Sequence, residues 1–192
     1  MAPVSARVAD VANNMDPTAE YLAGREQDPA FAGFHRIEYG LWSAASTDGL
    51  APTAERLAGS AATLRDRLKT LAVAPADLAG NAADRARRVA DQATGSQAPY
   101  SHADLAEFGA DLDGIAKSAL LVDPLVAEAD PAASAALHAA LDRARATLDG
   151  LAVDGVFPSY EAVDAAGRER IAAAFEAVAA AAQAMNPAFG LE

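Results

Sequence analysis

The chain of 192 residues contains no cysteine. Disulfide bonds, zinc–thiolate sites and cysteine nucleophiles are therefore excluded. A metal ion would be held by carboxylate oxygens and imidazole nitrogens, a set of ligands that suits iron, manganese, calcium or zinc. The absence of cysteine says little about the cellular compartment.

Basic residues are also few, since 15 lysines and arginines stand against 27 aspartates and glutamates, for a formal net charge of −12. No basic patch stands out, and we therefore expect no nucleic-acid partner. An acidic surface raises the local concentration of cations, although solubility alone would also explain it.

Long apolar runs are missing, because none reaches the roughly 18 residues of a membrane span. The N-terminus lacks the charged-then-apolar pattern of a signal peptide, and Met1-Ala2 leads directly into periodic sequence. A missing signal does not by itself indicate a cytoplasmic protein.

Alanine dominates the chain, whereas aromatic residues make up only 6 % of it. This composition predicts an all-α fold. Apolar stripes at helical spacing, joined by short turns with proline or glycine, predict up-and-down helical bundles. The helix that begins at residue 102 is expected to end before Asp123-Pro124. The predicted helices cover residues 29 to about 45, 50 to about 73, 75 to about 94, 102 to 122, 131 to about 148 and 163 to about 185, with shorter patterns at 3–14 and 18–24.

The segment Gly33–Trp42 contains a His-x-x-Glu pair within an apolar helical pattern. His35 and Glu38 are three residues apart, so they lie one above the other within reach of a common ion. Trp42 is predicted to face the same interior. The ordinary interpretation is that His35 and Glu38 hydrogen-bond each other or a neighbouring helix, and the spacing alone favours it because a single His-x-x-Glu is a weak motif.

A second segment of interest is Tyr100–Asp104. Ser101 is predicted to cap the following helix, with Asp104 completing an arrangement like a capping box. Asp104, Glu107 and Asp111 form a stripe of carboxylates along one flank of that helix. Solvated acids at a helix N-terminus would explain the first two, and Asp111 less well.

Several segments together resemble the imelysin-like family, and in particular its EfeO-type branch of bacterial iron-uptake proteins. Gly33–Glu38 followed by Leu41-Trp42 looks like the family's G-x-H-x-x-E signature. Matching segments follow in the expected order over nearly the whole chain, at Gly49–Pro52, Tyr100–Gly114 and Pro158–Tyr160.

The resemblance implies a single domain over residues 1–192, built as tandem four-helix bundles whose two halves meet near residues 95–100. It also implies a non-enzymatic protein that binds iron, or else zinc, calcium or another divalent ion, for an uptake system. Its partners would be an iron permease and a peroxidase-like protein of that system. Its location would be periplasmic or otherwise extracytoplasmic, associated with the cell surface.

The same resemblance implies a set of metal ligands and no catalytic residues. His35 and Glu38 match the family signature directly. His102 and Asp104 match the histidine and the acid of the tyrosine-serine-histidine segment. Glu20 is the nearest candidate for a further acid after the early Asp-Pro step.

The chain departs from the family pattern at its beginning. Relatives start with a further long helix that ends in a Glu-Pro step and contributes an acid, whereas this chain opens at Ala2-Pro3. We therefore expect the first helix, its acid and the cupredoxin-like domain of some relatives to be missing. The apolar groove left by that helix could be filled by a second copy, which would give a homodimer.

Two other functions remain open. A metallopeptidase-like hydrolase needs a metal with an open position and a general base, for which Glu38 or Glu107 would have to serve. A His-Glu-x-x-His site has two imidazoles, whereas this motif offers one, so an enzyme is the less expected outcome. A metal-free helical protein that binds a ligand or partner is the other alternative. A structure in which protein groups satisfy His35 and Glu38 would favour it.

Overall fold

Helices form the regular structure of the chain. The computed structural model describes residues 26–28 and 31–190. Within them no β-strand forms, and Val153 and Val156 pair only as an isolated bridge. The predicted all-α fold is therefore confirmed. No described helix is both long and apolar enough to cross a membrane. The α-helices are α1 (Phe34–Glu38), α2 (Ala51–Thr70), α3 (Pro75–Gln92), α4 (Asp104–Ala129), α5 (Pro131–Asp149) and α6 (Ala165–Gln183).

The chain divides into two compact units. The first unit contains the described residues up to Ala72 together with Ala98–Ser101, and the second contains Val73–Gln97 and the residues from His102 onward. The predicted boundary near residues 95–100 between two bundle-like halves stays a prediction. The helical patterns expected at 3–14 and 18–24 lie outside the described residues.

The second unit is an up-and-down four-helix bundle. Each of its helices packs against the next in the chain, and α6 closes the ring by packing against α3. Its fully buried large side chains come mainly from α4, α5 and α6, namely Leu105, Phe108, Leu112, Ile115, Val126, Leu137, Leu148, Ile171, Phe175, Tyr160 and Met185. The predicted bundle architecture is confirmed in this unit.

Helix α3 contributes a face made almost entirely of alanine. The buried positions recur every three or four residues, as an amphipathic helix requires. Small side chains on this face leave room for aromatic rings from elsewhere in the unit. The ring of Phe108 meets those of Tyr160 and Phe175 edge-on, at centroid distances of 5.5 and 6.4 Å. The buried residues of α3 are Ala79, Ala82, Ala83, Ala86, Val89 and Ala90.

Two aspartates begin the last two helices of the bundle. The side chain of Asp130 accepts hydrogen bonds from the backbone N–H groups of Ala132 and Ala133, at 3.0 Å each, and Pro131 occupies the first helical position. Asp164 accepts from the N–H of Gly167 at 2.7 Å. Each carboxylate therefore satisfies donors that the first turn of a helix leaves without partners.

The break predicted at Asp123-Pro124 is wrong, because α4 continues through Pro124 to Ala129. Proline removes one backbone donor from a helix interior and costs about 3 kcal/mol there. Val122 and Val126 flank it and are buried in the core, with 3 % and 0 % of their surface exposed. Packing of this additional turn against the bundle therefore offsets the cost of the proline.

The core of the bundle makes a matched pair of substitutions informative. Leu112 is 1 % exposed and Leu121 is 57 % exposed, and both lie on α4. We expect Leu112→Ala to lower the free energy of unfolding by about 2 to 5 kcal/mol, because it leaves a cavity. Leu121→Ala should change it by about 1 kcal/mol or less. Urea unfolding followed by circular dichroism measures both, and equal losses would contradict the assigned core.

Candidate metal centre

The helix that carries His35 and Glu38 is short and follows directly after a glycine. Gly33 precedes α1 with a φ of 84°, a backbone conformation that favours glycine. The first position of the G-x-H-x-x-E motif is therefore a glycine because the backbone has a positive φ there. After Glu38 the chain changes to a π-helical turn, Tyr39–Ser43, so the helix predicted to reach about residue 45 changes its geometry earlier.

His35 and Glu38 contact each other directly, as the ordinary interpretation of their spacing predicted. Nδ1 of His35 lies 2.8 Å from Oε2 of Glu38, and their side chains are only 16 % and 12 % exposed. An ionised carboxylate only accepts hydrogen bonds. Nδ1 therefore donates in this contact.

The other carboxylate oxygen of Glu38 is held by a distant segment of the same unit. Oε1 accepts the backbone N–H and the hydroxyl of Ser101, at 2.8 and 2.7 Å, and the N–H of Tyr100 at 3.2 Å. The prediction that Ser101 caps the following helix is wrong. Helix α4 begins at Asp104, and its N-cap residue is Ala103, whose methyl side chain cannot accept a hydrogen bond. The Ser101 hydroxyl donates to Glu38 instead.

These contacts set the charge of Glu38. Burial alone would raise the pKa of its carboxyl group, but the hydrogen bonds from His35, Ser101 and Tyr100 outweigh that effect and hold the pKa below its usual value of 4.5. Glu38 is therefore an anion near neutral pH, the form in which a carboxyl group binds a cation.

Three aromatic rings lie beside this pair. Phe31 is buried and meets Tyr39 and Tyr100 edge-on, with ring centroids 6.0 and 6.5 Å away, and the two tyrosine rings are 5.2 Å apart. The hydroxyl of Tyr100 donates to Oε1 of Glu26 at 3.0 Å. Burial, together with the nearby Glu26 and Glu38 carboxylates, raises the pKa of Tyr100 to about 12.

Trp42 does not face the interior, so this prediction is wrong. Its surface is 57 % exposed. Leu41, beside it, is 44 % exposed. The π-helical turn has more residues per turn than an α-helix, so positions after Glu38 rotate away from the arc that α-helical spacing predicts.

His102 and Asp104, the other two predicted ligands, belong to the second unit. Asp104 is fully buried, and its carboxylate accepts hydrogen bonds from the Ser96 hydroxyl, at 3.0 Å, and from the Gln97 backbone N–H. Its carboxylate therefore holds the loop before α4. Asp111, the last acid of the predicted stripe, pairs with Arg85 at 2.5 Å.

His102 adopts a left-handed backbone conformation, with a φ of 54°. Its carbonyl oxygen accepts the N–H of Tyr160 at 2.9 Å, and its Nε2 lies 3.7 Å from Glu161. Its Nδ1 is buried, and no group in the described part of the chain forms a hydrogen bond with it. Both the left-handed backbone and the unsatisfied ring nitrogen cost free energy, so the surrounding structure must maintain this conformation of His102.

The structure thus brings one predicted pair of ligands together, His35 with Glu38. Among the described residues, no three histidine, aspartate or glutamate side chains are grouped so that they could hold a metal ion. Glu20 lies outside the described residues. The full set of four or five ligands stays a prediction.

Sequence reasoning missed Glu26 and the roles of Tyr100 and Ser101. The Tyr-Ser-His segment stands out in the sequence, but Glu38 lies 62 residues before Tyr100, and no local pattern indicates a contact at that separation. The pairing of His138 with Asp123, at 2.9 Å across α5 and α4, was missed for the same reason.

The helical fold and the His-x-x-Glu helix that follows Gly33 agree with the resemblance drawn from the sequence, and the chain belongs to the imelysin family. The family model Peptidase M75, described as imelysin, matches residues 3–185. The resemblance inferred from the motifs is thereby confirmed.

Among individual relatives, the chain is similar to the iron uptake system component EfeO of Escherichia coli (strain K12). The two are 27 % identical over 191 residues, which cover 99 % of this chain and 51 % of the relative. The protein of the same name from Shigella boydii serotype 4 (strain Sb227) is 28 % identical over 170 residues, which cover 88 % and 45 %. The chain therefore spans about half the length of these relatives.

The lowered pKa of Glu38 predicts a pH-dependent contribution to stability. A carboxyl group whose pKa is lower in the folded state stabilises the fold above its unfolded pKa, and this contribution is lost as the pH falls through the folded value. We expect Glu38→Gln to lower the free energy of unfolding by about 1 to 3 kcal/mol near pH 7, where it weakens hydrogen bonds to a charged group. The difference from wild type should shrink as the pH falls below 4.5.

The control for this measurement is Glu55→Gln, on the exposed face of α2. Thermal unfolding between about pH 3 and 7 compares the two variants, and the control should follow the wild type throughout. A Glu38→Gln effect that grew on acidification would contradict the assigned direction of the shift.

Proposed function

We propose that the protein is a non-enzymatic, metal-binding component of a bacterial iron-uptake system, with iron as its cargo. Family membership and the similarity to EfeO over 99 % of the chain support this proposal. The observation that carries it is the contact of His35 with Glu38, a buried imidazole beside a carboxylate that its hydrogen bonds keep ionised. The formal charge of −12 favours the collection of cations.

The chemistry of this pair suits a hard cation. In this proposal His35 binds the ion through Nε2 while Glu38 orients the ring through Nδ1, as carboxylates do for many metal-bound histidines. Alternatively, Oε2 of Glu38 exchanges its contact with His35 for a contact with the ion. Carboxylate and imidazole ligands suit iron, and they also accept zinc, whereas calcium requires more oxygen ligands.

The remaining ligands are proposed from the family resemblance. They are His102, Asp104 and an early acid, for which Glu20 is the candidate. An iron permease and a peroxidase-like protein are the proposed partners, and a periplasmic or otherwise extracytoplasmic site at the cell surface is the proposed location. A homodimer stays a prediction.

Calorimetric titration with iron, zinc and calcium tests the proposed site. We expect the wild type to bind iron and the double variant His35→Ala/Glu38→Ala to lose about tenfold or more in affinity, because it removes both candidate ligands. His138→Ala is the matched control, since this histidine pairs with Asp123 on the exposed surface and should leave binding unchanged. Equal binding by the double variant and the wild type would rule out this site.

A hydrolase is a second candidate, favoured by the name of the family model, Peptidase M75. It would need a bound metal with an open position and a free base. Glu38 is a poor base, because its carboxylate already accepts four hydrogen bonds from described residues and its pKa is lowered. Hydrolysis of a broad peptide panel that a chelator abolishes would establish this function, and no hydrolysis would exclude it for those substrates.

A metal-free helical protein is the third candidate. Its supporting observation is that His35 and Glu38 hydrogen-bond each other and that Ser101 and Tyr100 bind the remaining oxygen of Glu38. The same calorimetric titration separates this function from the first, because a protein of this kind would show no saturable binding of iron, zinc or calcium.

A further inference from the structure

Tyr100 donates a hydrogen bond to one carboxylate through its backbone and to another through its side chain. Its backbone N–H donates to Oε1 of Glu38 at 3.2 Å, and its hydroxyl donates to Oε1 of Glu26 at 3.0 Å. The next residue, Ser101, adds its own N–H and hydroxyl to the same oxygen of Glu38. Three of the four hydrogen bonds that Glu38 accepts from described residues therefore come from Tyr100 and Ser101, and the Tyr100 hydroxyl is in turn bound to Glu26.

The ring between these two ends is also fixed. Tyr100 packs edge-on against Phe31 and Tyr39, and Tyr39 directly follows Glu38 in the chain. A ring held by two aromatic neighbours and by a hydrogen bond at its hydroxyl has little freedom to rotate. The position of the Tyr100 side chain is thereby coupled to the position of the N–H groups that face Glu38.

We propose that Glu26 and Tyr100 are positioning residues of the candidate metal centre. The hydrogen bond between Glu26 and Tyr100 holds residues 100 and 101 in place, so that their donors bind Oε1 of Glu38. The other oxygen, Oε2, then faces His35. This inference rests on the proposed function, since the property that it explains is the affinity of His35 and Glu38 for a cation. Neither Glu26 nor Tyr100 is required to touch the ion.

A positioning role makes specific demands on the side chains. Glu26 must accept a hydrogen bond, and its charge is dispensable, so glutamine should replace it and alanine should not. The Tyr100 hydroxyl must donate, so phenylalanine keeps the ring packing and loses the anchor. In the described part of the chain, the hydroxyl of Tyr39 contributes no hydrogen bond to Glu38, although its ring lies in the same aromatic group.

The test is calorimetric titration of the whole chain with iron, together with the unfolding temperature of each variant. We expect Tyr100→Phe and Glu26→Ala each to weaken iron binding about three- to tenfold, the effect of one lost hydrogen bond. Glu26→Gln should restore binding to within about twofold of wild type. Because both substitutions remove the same contact, the double variant Tyr100→Phe/Glu26→Ala should be no weaker than either single variant.

Two matched controls accompany these variants. Tyr39→Phe removes a hydroxyl from the neighbouring ring, and Glu55→Ala removes an exposed carboxylate of the same unit. Both should bind iron as the wild type does. An unfolding temperature close to that of the wild type shows that weakened binding is not a loss of folding.

The outcomes separate this inference from the proposed function. If Tyr100→Phe and Glu26→Ala bind iron like the wild type while His35→Ala/Glu38→Ala does not, the metal centre stands and the positioning role is overturned. If Glu26→Gln is as weak as Glu26→Ala, Glu26 acts through its charge, and the positioning role is again overturned. If the wild type binds no iron, zinc or calcium, both proposals fail together.

Discussion

The candidate site depends on the hydrogen bonds that the carboxylate of Glu38 accepts. This carboxylate is largely removed from water, yet it stays ionised because an imidazole, a hydroxyl and two backbone N–H groups donate to it. A buried charge without such donors would cost several kcal/mol. The proton position on His35, the use of the Ser101 hydroxyl and the placement of Tyr100 all follow from that requirement.

The two units differ in the interactions that hold their side chains in place. The described bundle of α3 to α6 is held by apolar packing, and Asp130 and Asp164 begin two of its helices. The first unit places a polar network beside an aromatic group, and Phe34 and Trp42 stay exposed there. Side chains held by hydrogen bonds can exchange those contacts for a bound ion, which a close-packed apolar core does not offer.

Local sequence patterns predict those parts of the structure that depend on residues close together in the chain. Helical spacing predicted the bundle, and the i, i+3 relation predicted the contact of His35 with Glu38. Trp42 was misplaced because a change from α- to π-helical geometry leaves no mark on apolar periodicity. The propensity of proline is local and predicts a break at Pro124, whereas the burial of Val126 that overrides it is tertiary. The link from Ser101 to Glu38 spans 63 residues and required the folded chain.

The alanine face of α3 has a consequence for the temperature dependence of stability. Alanine loses no side-chain rotamer entropy on burial, and it exposes little apolar surface when the chain unfolds. The heat capacity of unfolding scales with the apolar surface exposed, so a helix buried through Ala79, Ala82 and Ala86 adds little to it. Helix α3 therefore adds less curvature to the dependence of stability on temperature than a helix with large apolar side chains at these positions would add.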